Sequence, residues 1–308
     1  MSVSTNEPAK RLVAPSTRHI MTVDVEDWYT SSLDLFAEAS ADHGKAPDAS
    51  VVRNTLRCLE LFARHGCRAT FFILTTVAET YPDLVREIER HGHEIGVHGY
   101  QHRLVYNLKP AEFEDDLKKS LDILRNLVRC PIVGFRAPYW SITRKSLWAL
   151  EILQRAGLRY DASIFPIYRK LYGIPDAPVT PYEIRPGFWE FPPATCRVLG
   201  VNVPVAGGGY LRMLPGALLK ALTRQASRSG ALVFYLHPYE LDPTDTHAGR
   251  RLTRLKSRLY FLQQMIGRKS NPGKIQNLFN CIRFDSITGT YPLETGSVAS
   301  PTLSPSVG

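Results

Sequence analysis

A repeated pairing constrains this chain more than any other feature. A short apolar run of strand length is followed by an amphipathic segment with helical spacing, and the pair recurs. "HIMTVDV" precedes "VVRNTLRCLELFARHG", and "ATFFIL" precedes "YPDLVREIERHG". "HEIGVH" precedes "KPAEFEDDLKKSLDILRNLV", and "PIVGFR" precedes "TRKSLWALEILQRAG", with "LRYD" opening the next strand. Pro82 and Pro110 stand in first helical turns, and Gly66 and Gly92 stand at helix ends, the asymmetry expected of helix starts and stops. Apolar runs without alternation are strands buried on both faces, so repeated βα units imply a parallel sheet with helices packed outside it. A doubly wound sheet and an α/β barrel both satisfy this pattern.

From about 161 to 248 the pattern breaks. Pro and Gly are frequent there, as in "FPIYRKLYGIPDAPVTPYEIRPGFWEFPPAT" and "VAGGGYLRMLP", before one last apolar strand, "ALVFYLH". We expect this segment to form long loops over one face. Residues 1–18 and 286–308 are rich in Ser, Thr, Pro and Gly and are expected to be disordered tails. A single domain is therefore expected over 19–285, including a basic helical extension from about 249.

The composition, 44% hydrophobic and 22% charged over 308 residues, is that of a globular protein. The N-terminus lacks the apolar core of an export signal, so a cytoplasmic protein with reduced thiols at its five cysteines is expected. The net charge of +9 is concentrated toward the C-terminus. There "GRRLTRLKSRLYFLQQMIGRK" places Leu252, Leu255, Leu259, Leu262 and Ile266 at helical spacing among Arg and Lys. The simpler reading is a surface helix with a solvated basic face. The sharper one is a helix resting on an anionic membrane, at the inner membrane face, or on a polyanionic glycan. No nucleic-acid motif accompanies the charge, so no nucleic-acid partner is expected.

In parallel α/β folds, reactive residues sit just beyond the C-terminal ends of strands. Four polar clusters occupy such places: Asp24, Glu26 and Asp27 in "TVDVEDW", His98 and His102 in "HEIGVHGYQH", Arg136 and Tyr139 in "FRAPYW", and His237 in "YLHPYE". Each alone has an ordinary explanation, a helix cap or a surface pair. Together they fit metal-assisted hydrolysis. Two imidazoles and one carboxylate form a three-ligand site with open positions. A second carboxylate takes the proton of water, a separate His protonates the leaving group, and Arg136 holds the base ionised.

These motifs resemble the NodB-homology polysaccharide deacetylases of carbohydrate esterase family 4. The resemblance covers about 19–240 through "TVDVEDW", "ATFF", "HEIGVHGYQH", "RAPY" and "YLH". "DVEDW", "YDASIFPI", "EFPPAT", "PVAGGGYLRMLP" and "YLHPYELDP" are similar to the subfamily found beside exosortase and exopolysaccharide loci. The resemblance implies a distorted (β/α) barrel and one divalent metal ion, zinc being the first expectation. It also implies removal of acetyl groups from N-acetylated sugars, the glycan being the partner, with exopolysaccharide synthesis machinery a further peripheral contact. By the same resemblance Asp24 is the base, and His98 and His102 are metal ligands. Arg136 orients the base, and the Tyr139 backbone N–H donates to the oxyanion. His237 is the acid, and Asp161 orients it. The family's adjacent aspartate pair is missing here. Glu26 shares a strand face with Asp24, whereas Asp27 has the usual ligand chemistry and sits where the strand ends. Both stay candidate ligands, with a slight preference for Asp27. Rival readings are hydrolysis of a small amide or cyclic ureide and an inactive glycan-binding relative. The presence of both base and acid argues against the second.

Overall fold

The computed structural model describes residues 18–30, 50–244 and 252–293. Its elements, in chain order, begin with β1 (His19–Val25), α1 (Ser50–Arg64), β2 (Thr70–Ile73), α2 (Thr75–Thr80), α3 (Pro82–Arg90) and β3 (Glu94–Val97). There follow α4 (Pro110–Leu127), β4 (Gly134–Phe135), α5 (Ala149–Arg155) and β5 (Tyr160–Asp161). The second half holds β6 (Tyr182–Arg185), β7 (Phe188–Glu190), β8 (Thr195–Val198), β9 (Val201–Pro204), α6 (Gly208–Met213), α7 (Gly216–Ala226) and β10 (Val233–Leu236). The described chain ends with α8 (Leu255–Met265), α9 (Asn271–Cys281), β11 (Phe284–Asp285) and α10 (Ile287–Thr290).

Nine strands form one sheet in the order β10-β1-β2-β3-β4-β5-β7-β6, with β11 also on β1. All pairings are parallel except β6 with β7. The sheet curls, and its ends approach through parallel bridges from Pro193 to Val233 and from Gly207 to Tyr235. The result is the distorted barrel expected of the motifs. Strand burial is continuous, as β1 and β2 illustrate, because helices cover the outside and side chains fill the inside. The α4 helix buries Phe113, Leu117, Ser120, Leu121 and Leu124, one stripe at helical spacing. Each fully buried apolar side chain of this kind contributes roughly 1.5–3 kcal/mol.

Three expectations are corrected. First, the segment after Asp161 is not merely loops. It supplies β6 and β7, the separate β8–β9 hairpin and two helices. Gly207 explains part of this. Its φ of 137° and its bridge to β10 leave no room for a Cβ, which would strike the Tyr235 carbonyl oxygen. Second, the helix expected from Thr143 starts at Ala149, because Ser146 Oγ accepts from Thr143 N (2.9 Å) and donates to Ser141 O (2.8 Å), which fixes a turn there. Third, the domain does not end at 285. Ile287, Thr290 and Tyr291 are buried, with Ile287 packed beside Ile20, Val233 and Phe191. The rest of the expected tails, 1–17 and 294–308, lies outside the described residues.

Replacing Ile287, which is fully buried, should therefore cost what a core position costs. Ile287→Ala is expected to lower unfolding stability by about 2–4 kcal/mol in urea titration. A change within a few tenths of a kcal/mol would mean that the end of the domain is not part of its core.

Candidate active site

The cleft lies at the C-terminal ends of β1, β3, β4 and β10. Arg136 follows β4 and is completely buried. Its Nη1 donates to Asp24 Oδ1 (2.8 Å) and to Thr22 Oγ1 (2.7 Å), and its Nε to the Ala162 carbonyl (3.1 Å). The guanidinium also lies over the rings of Phe72 and Trp140, at 4.3 and 4.7 Å from their centroids. Asp24 is thus held through one carboxylate oxygen, while Oδ2 faces His237 Nε2 at 4.0 Å.

Beyond β3, His98 and His102 present two imidazoles with centroids 5.5 Å apart. His98 Nδ1 lies 2.8 Å from the Arg136 carbonyl. A carbonyl only accepts, so Nδ1 carries the proton and the Nε2 lone pair faces the cleft. Burial holds the His98 pKa below its usual value, and Asp24 and Glu26 only partly oppose it. His102 adopts φ 57°, which turns its ring back toward His98. Glu26 completes the group, its Oε2 lying 2.7 Å from His102 Nε2 and 3.9 Å from His98 Nε2. Burial would raise the Glu26 pKa, but His102, His98 and His237 outweigh it and bring it down to about 2. One ligand atom from each of Glu26, His98 and His102 lies within 4.8 Å of the others, all buried. Two imidazole nitrogens and a carboxylate oxygen are a donor set that fits a divalent cation.

The two candidate carboxylates after β1 separate. Glu26 N bonds back to Asp24 O (3.0 Å), a tight turn that carries the Glu26 side chain to the histidines. The Asp27 carboxylate instead takes the hydroxyls of Tyr29 and Ser50. This corrects the preference for Asp27. The turn sends it toward α1, and two hydroxyls occupy its oxygens.

His237 follows β10 and stacks on Tyr239, with ring centroids 4.9 Å apart. Its Nε2 lies 3.4 Å from Glu26 Oε1, and its Nδ1 lies 3.7 Å from Glu240 Oε2. Burial lowers its pKa, yet the carboxylates of Glu240, Glu26 and Asp24 outweigh that, and the net shift is upward. Glu240 in turn faces Arg212 at 3.8 Å. The sequence reading missed Glu240. Its signal was "HPYE", a Glu three residues after a strand-end His with Pro between them, as at a capped helix start. The Glu240 side chain does accept from His237 N (3.0 Å).

Asp161 was expected to orient His237, and the structure corrects this. Asp161 accepts from Ser163 Oγ (2.5 Å), and Ser163 Oγ accepts from Ala137 N (2.7 Å). It therefore braces the "RAPY" turn. Two residues of that turn, Tyr139 and Trp140, have φ near +55°, a conformation that costs non-glycine residues about 1–3 kcal/mol each. Tyr139 stands beside His102, with ring centroids 5.6 Å apart. Both residues line the cleft, an opening of about 410 Å³ whose far wall includes Arg169, Tyr172 and Tyr210. His93 packs against Phe71 and accepts from Ala69 N (3.1 Å). Trp28 is fully buried against Tyr29 and Phe261.

Residues 42–160 match the polysaccharide deacetylase family, and residues 162–291 match a domain of unknown function, DUF3473. The chain is 30% identical over 131 residues to the peptidoglycan deacetylase of Helicobacter pylori (42% of this chain, 40% of that protein). It is 32% identical over 116 residues to a peptidoglycan-N-acetylglucosamine deacetylase of Bacillus cereus (37% and 41%). The match thus spans about two-fifths of the length of these relatives. A solved structure assigned as a polysaccharide deacetylase from Mycobacterium smegmatis superposes with a TM-score of 0.52 at 18% identity, covering 96% of this chain and all of that one. The class is therefore a NodB-type α/β deacetylase fold, with histidine and carboxylate side chains gathered at its rim. The part of the chain that matches the polysaccharide deacetylase family is residues 42–160, about two-fifths of its length.

Burial raises the Asp161 pKa to about 6, with hydrogen bonds from Ser163 only partly opposing it, and burial beside Asp161 raises Glu190 as well. A raised folded pKa favours the protonated acid. Its contribution to stability is present below the ordinary Asp value and is lost as pH rises through about 6. The Tm of Asp161→Asn relative to wild type should accordingly rise between about pH 4 and 7. A flat difference would show that folding leaves the Asp161 pKa unshifted.

Proposed function

We propose that this protein is a metal-dependent N-deacetylase. Its substrates would be N-acetylated sugars of an exopolysaccharide or its precursor, as in the exosortase-associated subfamily that its motifs resemble. One observation carries the reading: a restrained carboxylate, a separate imidazole and a three-donor cluster converge on a single cleft. The curated relatives are named for peptidoglycan and chitooligosaccharides, both N-acetylated glycans, which supports the substrate class.

Glu26, His98 and His102 would hold the ion, zinc first among the metals this donor set suits. The ion supplies Lewis acidity toward an amide carbonyl and an attacking water. Asp24 takes the water's proton through Oδ2, since Oδ1 is committed to Arg136. His237, whose pKa its carboxylate neighbours raise, gives a proton to the departing amine. The C–O bond forms first as the water oxygen adds to the carbonyl carbon, the C–N bond then breaks as the amine takes the proton, and acetate and a free amine result. The Tyr139 N–H donates to the carbonyl oxygen as negative charge develops there. Glu240 keeps His237 protonated and oriented.

These roles separate in variants. His98→Ala should lose bound metal and acetate release from N-acetylglucosamine oligomers together. His237→Ala should keep metal by elemental analysis and lose about 10²-fold or more in kcat. Undiminished turnover in it would remove His237 from the role of acid. Glu240→Gln removes a cause of the raised His237 pKa, so the basic limb of the kcat/KM profile should move to lower pH. An unmoved limb would leave Glu240 only a structural part.

A further inference from the structure

Helix α8 carries its apolar face outward. Toward the protein, Phe261 packs on Trp28, and Tyr260 and Gln264 line the cleft. Toward solvent stand Leu255, Leu259, Leu262 and Ile266, which are 73%, 58%, 59% and 62% exposed. At 100° per residue these four fall within a sector of about 60°, one continuous stripe. Exposed Arg258 borders the stripe on one side and exposed Lys256 on the other. Apolar exposure continues around the cleft mouth. Met213, 72% exposed, lines the cleft, and Leu171, 52% exposed, lies between the cleft residues Arg169 and Tyr172. An outward apolar stripe beside an opening marks an interaction site.

We propose that this face docks on an anionic lipid bilayer, with α8 lying in the interface and the cleft opening beside it. An apolar stripe flanked by cations is the pattern of an interfacial helix. At 11 residues the helix is about 16 Å long, suited to lying in an interface, and no described helix is long and apolar enough to cross a membrane. Charge selects lipid over a second copy of this chain. Pairing two stripes would bring Lys256 and Arg258 of both copies together, on chains of net charge +9, whereas anionic headgroups neutralise them. Docking stands apart from the proposed reaction. Its consequence rests on that reading: the N-acetylated glycan delivered to the cleft is one held at the membrane surface, such as a lipid-linked precursor.

The test is co-sedimentation of the full chain with vesicles of phosphatidylcholine alone or mixed with phosphatidylglycerol, at low and high salt and without substrate. Wild type should partition onto the mixed vesicles, less so at high salt. Leu259→Glu combined with Leu262→Glu should lower the partition coefficient about tenfold or more while leaving Tm and acetate release from soluble oligomers unchanged. Both positions are exposed, so the fold does not depend on them. Absence of wild-type partitioning, or equal partitioning of the double variant, overturns the proposal. So does a wild-type dimer in sedimentation velocity that the double variant dissociates, which would assign the stripe to a second copy. Vesicle binding without acetate release would sink the deacetylase reading and leave docking intact.

Discussion

The buried guanidinium of Arg136 is the interaction on which the rest of the site depends. A cation with no solvent exposure is stable only when its donors and charge are matched, and losing one partner of such a pair typically costs about 3–5 kcal/mol. Here the match is distributed. Asp24 and Thr22 come from β1, the Ala162 carbonyl follows β5, and two aromatic faces cover the group. The same residue's backbone carbonyl receives His98 Nδ1. One residue therefore sets the base on one side and the tautomer of a candidate ligand on the other. An orientation error at Arg136 would reach both together.

The barrel half of the fold was legible because its signals are local. Pro82, Pro110, Gly66 and Gly92 mark helix ends, and continuous apolar runs mark buried parallel strands. The strand-end positions of Asp24, His98, Arg136 and His237 followed from the same pattern, and the structure gathers all four. What was not legible depends on the path of the chain between signals. The choice between Glu26 and Asp27 turns on one tight turn after Val25 and on Ser50, more than twenty residues away in sequence. Neither is visible in alternation alone.

Asp161 and Glu240 show the other limit. Sequence places an acid only at a strand end. It does not show which neighbour the acid serves when two imidazoles and a strained turn lie within reach. Asp161 stands on β5, next to β4, so it meets the turn leaving β4. Glu240 stands three residues beyond His237 on the same 3-10 turn, so a partner close in sequence serves where a distant one was expected. The segment after Asp161 escaped for a related reason. Its antiparallel strands are only three or four residues long and stand among Pro- and Gly-containing connections, and the segment returns to β10 through a close approach of Gly207 to Tyr235.

The pairing of β1 bears on how the protein is made. β1 carries Asp24, yet two of its three neighbours, β10 and β11, come from the far end of the described chain. The Thr22 hydroxyl, which accepts from Arg136, donates to Phe234 O across 212 positions of sequence. At about 5–20 residues per second of synthesis, β1 waits roughly 10–40 s before β10 exists. During that interval the emerging chain already holds Glu26, His98 and His102, but not His237. All three residues of the donor cluster are thus translated before the imidazole that faces Asp24.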